Sequence, residues 1–505
     1  VKKGDKVAIL SANMPNWGIT QFAIANIGAI AVPVLPGFCS TELQNILEHA
    51  EVKVIFVSRL LAKCLEGVKT PFLEHKILIN NFATMPEGCY QPEDLDKLVP
   101  DINLNNTTPL PEVSIEEEDI ASIIYTSGTT GFSKGVVLTH KNLVWDARQC
   151  RTIQPVDETY RFLSILPMAH TYENTLGLLL PLMFGAQVYY LDRVPTPKLL
   201  VPAMQKIRPT VVLSVPLIIE KIYKSQVLPK FTSSKLMSKL YQFAPARKLL
   251  NRLAGKKLME TFGGELKFFG IGGSKLDGTV EQFLREAKFP YAIGYGLTET
   301  APMAAGSNPS QTFLQGVGPV MEGVQIKIND PDKSGQGEIW IKGPNVMKGY
   351  YKRPELTAET FTEDGWFKTG DLGSFDKKNR LAIRGRIKTM ILGASGENIY
   401  PEEIESIINN FRFVNESLVV ENSGKLVAMV HFNMEELEKQ YQKLKDQAGN
   451  YKEKINDYIE EQKQELRDYV NARVNNFSKL QLVLVQHEPF EKTPTHKIKR
   501  FLYCK

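Results

Sequence analysis

The segment Tyr125-Thr126-Ser127-Gly128-Thr129-Thr130-Gly131-Phe132-Ser133-Lys134-Gly135 constrains this 505-residue chain more than any other. It joins the apolar run Ile120-Ala121-Ser122-Ile123-Ile124 to a second one, Val136-Val137-Leu138. A plain polar connector between two strands needs no such density of glycines. Gly128, Gly131 and Gly135 free the backbone to turn inward, so that N–H groups converge on an anion. Thr126, Ser127, Thr129 and Thr130 add hydroxyl donors, and Lys134 adds a mobile positive charge. The combination suits a polyphosphate. It is not a Walker loop: read from Gly128, that pattern requires Gly-Lys-Ser/Thr where this chain has Ser133-Lys134-Gly135.

The surroundings predict an α/β fold. Val7-Ala8-Ile9-Leu10, Val54-Ile55-Phe56-Val57 and Val211-Val212-Leu213 read as buried strands, and residues 17–30 carry apolar side chains at helical spacing. Such alternation points to parallel-rich sheets with helices on their faces. From Gly316 onward the pattern changes: residues 323–328 and 337–341 alternate apolar and polar, as half-buried strands of a small barrel-like or distorted sheet do. The last hundred residues read as a small α+β part. There Ile455, Ile459, Leu466, Val470 and Val474 share one face of a charged helix, which either covers a small sheet or meets a membrane or partner. Residues 226–257, rich in Lys and Leu, read as an inserted helical segment or lid, or as an ordinary surface helix pair. Residues 176–191 are the most apolar stretch, but Pro181, Gly185 and Gln187 interrupt it, so it is expected in the core rather than across a bilayer.

Composition narrows the function classes. With 43% hydrophobic and 23% charged residues the chain is neither disordered nor fibrous. A net charge of +5 is too diluted to argue for nucleic acid. Cys39, Cys64, Cys89, Cys150 and Cys504 are odd in number and form no Cys-x-x-Cys pair, which predicts reduced thiols in a cytoplasmic protein. Val1-Lys2-Lys3-Gly4-Asp5 is no signal peptide, and without an initiator methionine the natural chain is expected to begin upstream.

Five further motifs carry chemistry. In Tyr295-Gly296-Leu297-Thr298-Glu299-Thr300, the tyrosine can stack on a base, the first threonine can donate to a phosphate, and the glutamate can hold Mg²⁺; a turn with a helix cap is the plainer reading. Gly270-Ile271-Gly272-Gly273-Ser274-Lys275 fails the dinucleotide fingerprint at its third glycine. Asp371, in Lys368-Thr369-Gly370-Asp371-Leu372-Gly373, suits a bidentate contact to ribose hydroxyls, although Asp is also common in turns. Pro401, with acids behind it, marks a helix start after the loop Gly393-Ala394-Ser395-Gly396-Glu397. Near the end stands Lys492-Thr493-Pro494-Thr495-His496-Lys497-Ile498-Lys499-Arg500, which by itself reads as a basic solvated tail.

With these motifs in the superfamily's order along the chain, from its first residues to its last, the chain resembles the acyl-adenylate-forming superfamily of acyl-CoA synthetases, peptide-synthetase adenylation domains and beetle luciferases. Within it the chain is similar to bacterial-type long-chain fatty-acid–CoA ligases. Ser133, Thr389, His496 and Leu217 depart from the common Pro, acidic residue, Gly and Arg. The resemblance implies a large domain over 1–387 and a small mobile domain over 388–505 that turns about Lys388. It also implies adenine contacts from Gly273, Ser274, Tyr295 and Gly296. Asp371 and Arg386 would take the ribose. Thr126, Ser127, Gly128, Thr129, Thr130, Lys134 and Thr298 would take the phosphates, and Glu299 with Thr126 the Mg²⁺. Gly396 would border the pantetheine tunnel, Lys497 would be the catalytic lysine, and His170 would position or gate the acyl group, unless it is merely structural. The expected reaction is activation of a fatty acid by ATP to acyl-AMP and pyrophosphate, then transfer to CoA. Transfer to a carrier protein, or a non-catalytic nucleotide- or lipid-binding role, are the alternatives. The helical insertion after residue 223 resembles long-chain members, where an added segment lines a fatty-acid tunnel or sits on a membrane; peripheral contact at the inner membrane surface fits that. Monomer and homodimer both remain open.

Overall fold

Apolar runs of five or six residues build the first sheet. Lys6–Leu10 pairs in parallel with Ile30–Val34 on one side and with Val52–Val57 on the other. All three are buried along nearly their whole length, and strands covered on both faces have little polar side to show, hence their Val, Ile, Leu and Ala content, interrupted only by Lys6 at one end, Pro33, Lys53 and Phe56. The sheet has eight strands in the order Gly349–Tyr350, Lys134–Thr139, Ile120–Thr126, Ile30–Val34, Lys6–Leu10, Val52–Val57, His75–Leu78 and Ala83–Thr84. Helix Ser40–Ala50 packs Leu43, Ile46 and Leu47 into the core of this sheet, and helix Pro15–Asn26 adds Trp17. Helix His140–Cys150 begins at a capping box in which Thr139 and Asn142 satisfy each other's backbone N–H groups.

The structure, a computed structural model, describes residues 1–38, 40–100, 112–126, 133–193, 195–232, 234–392, 398–422, 424–444, 451–493 and 497–504. Its internal contacts divide the chain into two units. The first comprises Val1–Lys327, Trp340–Lys368 and Phe375–Ala382, and the second Ile328–Ile339, Thr369–Ser374 and Ile383–Lys505.

The first unit holds a second sheet of six strands, in the order Met303–Gly306, Tyr291–Gly296, Phe268–Ile271, Val211–Ser214, Arg161–Ser164 and Gln187–Tyr190. Every neighbouring pair but the first is parallel. The carboxyl ends of Arg161–Ser164, Phe268–Ile271 and Tyr291–Gly296 therefore point the same way, and the loops that follow them carry His170, Gly273 with Ser274, and Thr298 with Glu299. Parallel sheets bind ligands at that edge. Of the apolar stretch expected in the core only the first part is buried: the π-helical turn Asn174–Leu179 is enclosed throughout, whereas Leu182 and Met183 of helix Leu180–Met183 and Tyr189 of strand Gln187–Tyr190 are exposed. The insertion folds as helices Leu228–Thr232, Lys235–Gln242 and Ala244–Thr261. No helix among the described residues is long and apolar enough to cross a membrane.

The small β part is a four-stranded sheet, Gln325–Asn329, Gly337–Lys342, Phe367–Phe375 and Leu381–Arg386. In the second unit, strands Val414–Asn422 and Lys425–Phe432 pair antiparallel and Leu482–Val485 joins in parallel. Helix Tyr451–Asn471 covers this sheet: Leu466 and Val470 enter the core with Val419, Val430 and Val483, and Ile459 and Val474 pack at its margin. Four residues of the amphipathic face read from the sequence, Ile459, Leu466, Val470 and Val474, thus meet the sheet; the Ile455 side chain lies outside the described ones.

Candidate functional site

Strand pairing fixes both ends of the glycine-rich loop. Tyr125 lies opposite Gly135 and Thr126 opposite Lys134. On its other edge the strand Lys134–Thr139 pairs with Gly349–Tyr350, which brings Tyr350 beside Lys134. The Lys134 ammonium stands 5.0 Å from the ring centroid, within cation–π range. The Tyr350 hydroxyl donates to Glu299 Oε1 at 2.9 Å, and the Met347 N–H donates to the Glu299 carbonyl at 2.8 Å. Lys134, Tyr350 and Glu299 thus form one cluster at the mouth of the loop. Ser127, Gly128, Thr129 and Thr130 lie outside the described residues.

On the strand that leads into the loop, the Tyr125 hydroxyl lies 2.7 Å from His49 Nδ1, and His49 meets the rings of Tyr125 and Tyr351 edge-on. Burial, with help from Lys352 and Arg353, holds His49 below the usual imidazole range. Burial also pushes the Tyr125 hydroxyl up, so this pair stays uncharged at neutral pH.

The turn after Tyr291–Gly296 is equally constrained. A Cβ at position 296 would lie 1.6 Å from the Pro302 carbonyl oxygen, so only glycine fits. Thr300 Oγ1 accepts from the Leu297 N–H at 2.9 Å and donates to the Pro302 carbonyl at 2.7 Å. That inward bonding leaves Thr298 and Glu299 partly exposed on the same short turn. Tyr295 is buried. In the neighbouring loop Gly273 has φ +88°, a backbone that favours glycine. Gly273 and Ser274 are both exposed, while Gly272 lies against the Tyr172 ring.

His170 caps the turn that begins the π-helical stretch: its Nδ1 accepts from the Tyr172 N–H at 3.2 Å. Three residues on, Glu173 is wholly enclosed, and burial pushes its carboxyl up to about 8 against a hydrogen bond from Ser164. Leu176 and Leu180 of the same stretch line an apolar cavity with Cys150, Val211, Phe268 and Met303. Asp146, also buried, accepts from the Met303 N–H at 3.3 Å, and burial raises its carboxyl well above the usual range.

Glu173 gives a stability prediction with a definite sign. The folded state keeps a proton that the unfolded carboxyl releases near its ordinary value of 4.5, so folding loses stability as pH rises from there to about 8. Within that window the loss approaches ~1.4 kcal/mol per pH unit. The melting temperature of the parent chain should therefore fall more steeply between pH 5 and 8 than that of Glu173→Gln. Parallel curves would show that this carboxyl is ionised in the folded protein.

In the second unit, Asp371 is buried at the centre of strand Phe367–Phe375, and its Oδ1 receives Arg386 Nε at 2.8 Å. Lys388 is exposed on the short 3-10 turn Ile387–Thr389. Thr389 Oγ1 donates to Glu402 Oε1 at 2.6 Å. Glu402 and Glu405 both face Arg500, and Glu405 Oε1 also accepts from the Val419 N–H at 2.7 Å. Lys497 is exposed and Arg500 lies three residues beyond it. Around Lys497, Lys492 and Ile498 form a bridge, and the Thr493 N–H donates to the Lys497 carbonyl at 2.8 Å. Pro494, Thr495 and His496 lie outside the described residues, as does Gly396.

The residues singled out by sequence therefore fall into two sets. Thr126, Lys134, His170, Gly273, Ser274, Tyr295, Gly296, Thr298 and Glu299 belong to the first unit, and Asp371, Arg386, Lys388 and Lys497 to the second. Within the first set Tyr350 joins Lys134 to Glu299, and within the second Arg386 meets Asp371. Sequence reasoning missed Tyr350, His49 and the Arg500–Glu405 pair. None had a signal in the sequence, because each depends on segments far apart along the chain.

Residues 1–351 match the AMP-binding enzyme family, and the chain belongs to that family. It is similar to fatty acyl-CoA synthetase A of Dictyostelium discoideum, with 26% identity over 560 residues covering 99% of this chain and 80% of that protein. Its identity to the peroxisomal long chain acyl-CoA synthetase 6 of Arabidopsis thaliana is 29%, over 99% of this chain and 76% of the relative. In fold it resembles ATP-bound MatB from Rhodopseudomonas palustris, with a TM-score of 0.74 at 21% identity over 99% of this chain and 88% of the other.

Proposed function

We propose that this chain is an AMP-forming fatty-acid–CoA ligase acting on long-chain acids. The observation that carries the reading is the Lys134–Tyr350–Glu299 cluster, which sets a cation and a carboxylate at the mouth of a glycine-rich loop in a member of the AMP-binding enzyme family. The relatives named above, both acyl-CoA synthetases, support the substrate class.

A carboxylate is a poor electrophile. Adenylation gives its carbon a good leaving group, and the cost is bringing that anion onto an already anionic α-phosphate. Lys134, Thr126 and Thr298, with Ser127, Gly128, Thr129 and Thr130, hold the triphosphate in this reading. Gly273, Ser274, Tyr295 and Gly296 hold the adenine. The Asp371 carboxylate takes the ribose hydroxyls, and Arg386 orients it. Lys497 meets the charge that develops during adenylation. Lys388 is the pivot between the two half-reactions, joining a 1–387 part to a 388–505 part. Gly396 borders the path of the thiol. His170 orients the acyl carboxylate.

The donor set fits Mg²⁺. Among the described residues no cluster of three His, Cys, Asp or Glu exists, which would suit a caged metal. A single carboxylate, Glu299, with the hydroxyl of Thr126 suits a Mg²⁺ held chiefly by phosphates and water. When bound, it would offset charge on the phosphates.

The test is acid-dependent pyrophosphate release across fatty acids from short to long, with and without CoA. Release that peaks with long chains and turns over only with CoA is expected. Release that stays at a single turnover with CoA, and proceeds with a carrier protein, would replace CoA as acceptor. Release with no acid in the panel would overturn the reading in favour of a non-catalytic binder.

A further inference from the structure

We infer that Tyr350 is a positioning residue that restricts Glu299 to one open oxygen and thereby selects Mg²⁺ over Ca²⁺ as the cation accompanying ATP. The inference deepens the proposed reaction and rests on it, since that reading gives the cation to Glu299. It begins with one hydrogen bond. A carboxylate only accepts, so the Tyr350 hydroxyl donates to Glu299 Oε1, at 2.9 Å. The other oxygen, Oε2, has no hydrogen-bond partner among the described residues, and Glu299 is partly exposed.

Both sides of that bond are fixed by the backbone. Tyr350 is buried; its strand pairs it with Val136, and its N–H donates to Thr357 Oγ1 at 2.9 Å. Opposite, the Met347 N–H holds the Glu299 carbonyl. Asn142 Nδ2 holds the segment before Met347 through the Pro344 and Val346 carbonyls, at 2.7 and 3.0 Å. Thr175 Oγ1 donates to the Ala301 carbonyl at 2.9 Å, just beyond the turn that carries Glu299. The hydroxyl therefore faces the carboxylate before any ligand arrives. Support of Lys134 does not call for it. That ammonium stands 5.0 Å from the ring centroid, and a phenylalanine ring would serve it too. The hydroxyl is the part left to explain.

The two cations part over how they take a carboxylate. Ca²⁺ gathers about six to eight oxygens in a flexible shell and readily accepts both oxygens of one carboxylate. Mg²⁺ is smaller and demands a near-ideal octahedron, which the narrow bite of a two-oxygen carboxylate strains. With Oε1 engaged, Glu299 presents Oε2 alone. That is enough for Mg²⁺. For Ca²⁺ the second oxygen becomes available only if the tyrosine is displaced and its buried hydroxyl left unpaired.

Equilibrium binding of ATP to the whole chain, with no acid present, tests this without turnover. The parent chain should hold Mg²⁺·ATP about tenfold tighter than Ca²⁺·ATP. Tyr350→Phe keeps the ring over Lys134 and removes the hydroxyl alone. Its preference should shrink to about threefold or less, through tighter binding of Ca²⁺·ATP. Glu299→Asp draws the carboxylate back from an intact Tyr350 hydroxyl and should lose the preference as well, which keeps the test decisive should the first variant unfold. A tyrosine that served only the fold would weaken both complexes by one factor, so an unchanged ratio in either variant would overturn the inference. So would a parent chain that binds both complexes alike. A parent chain that binds neither would overturn the proposed reaction, and this inference with it.

Discussion

A Lys497→Ala variant is expected to release pyrophosphate at least ~100-fold more slowly than the parent chain, the scale on which a single positioned donor acts in a charge-building transition state. It should nevertheless pass the acyl group from supplied acyl-adenylate to CoA at close to the parent rate. The asymmetry follows from where like charges meet. Adenylation brings an anionic carboxylate onto an already anionic α-phosphate, a repulsion that a positioned ammonium offsets, whereas thiol attack falls on the acyl carbon and involves no approach of a second anion to that phosphorus. Lys497 is exposed, and its turn is held by the Lys492–Ile498 bridge and by backbone bonds to Thr493 rather than by its own side chain alone. Truncating it should therefore leave the melting temperature within a degree or two of the parent. Equal loss in both half-reactions would sink the assignment.

Arg500→Met should be the most damaging single change to stability. Arg500 and Glu405 keep only 21% and 12% of their side-chain surface in water. Burial pushes the Glu405 carboxyl up to about 7, while the Arg500 charge pulls the other way. Without the guanidinium, Glu405 must either stay ionised without its counter-charge, beside Glu402, or take up a proton. Breaking an enclosed pair from one side costs about 3–5 kcal/mol. The cost should grow with pH, being larger at pH 8 than at pH 5.5, since the folded state then resists an ionisation that the unfolded chain completes freely. Adding Glu405→Gln should restore at least half of the lost stability, because the amide is neutral and the Val419 N–H keeps its acceptor. A single variant that melts like the parent would show that the pair contributes nothing net. The damage should also reach adenylation, since Arg500 anchors the segment after Lys497 against the helix Pro401–Ile408 and, through Glu402, against Thr389 beside Lys388, the proposed pivot.

What could be read from the sequence was local. The glycine-rich loop announced itself because its glycines, hydroxyls and lysine are consecutive. The cover helix was legible because Leu466 and Val470 recur at helical spacing and meet a sheet that is near in sequence. Tyr350 was not legible. It reaches Lys134 only because a two-residue strand joins the edge of the first sheet, and nothing near either residue encodes that pairing. The acids of Pro401–Ile408 were legible as a helix start, and the helix begins at Pro401. Their further use was not: Glu402 and Glu405 bind Thr389, Val419 and Arg500, all supplied by other parts of the chain. Glu173 gave no sign of its enclosure, because a carboxylate in a sequence carries no mark of the solvent it will lose.

The cap formed by His170 fixes more than the end of a helix. An Nδ1 that accepts a backbone N–H has its lone pair in use, so a neutral ring must carry its hydrogen on Nε2. The tautomer is thereby set by the chain itself, before any ligand arrives. An imidazole held in this form offers a proton in a hydrogen bond and has no free lone pair with which to remove one. If His170 meets the acyl carboxylate, as proposed above, that form suits it: the nucleophile is already an anion, there is no hydrogen to abstract, and a basic ring nitrogen would only repel it.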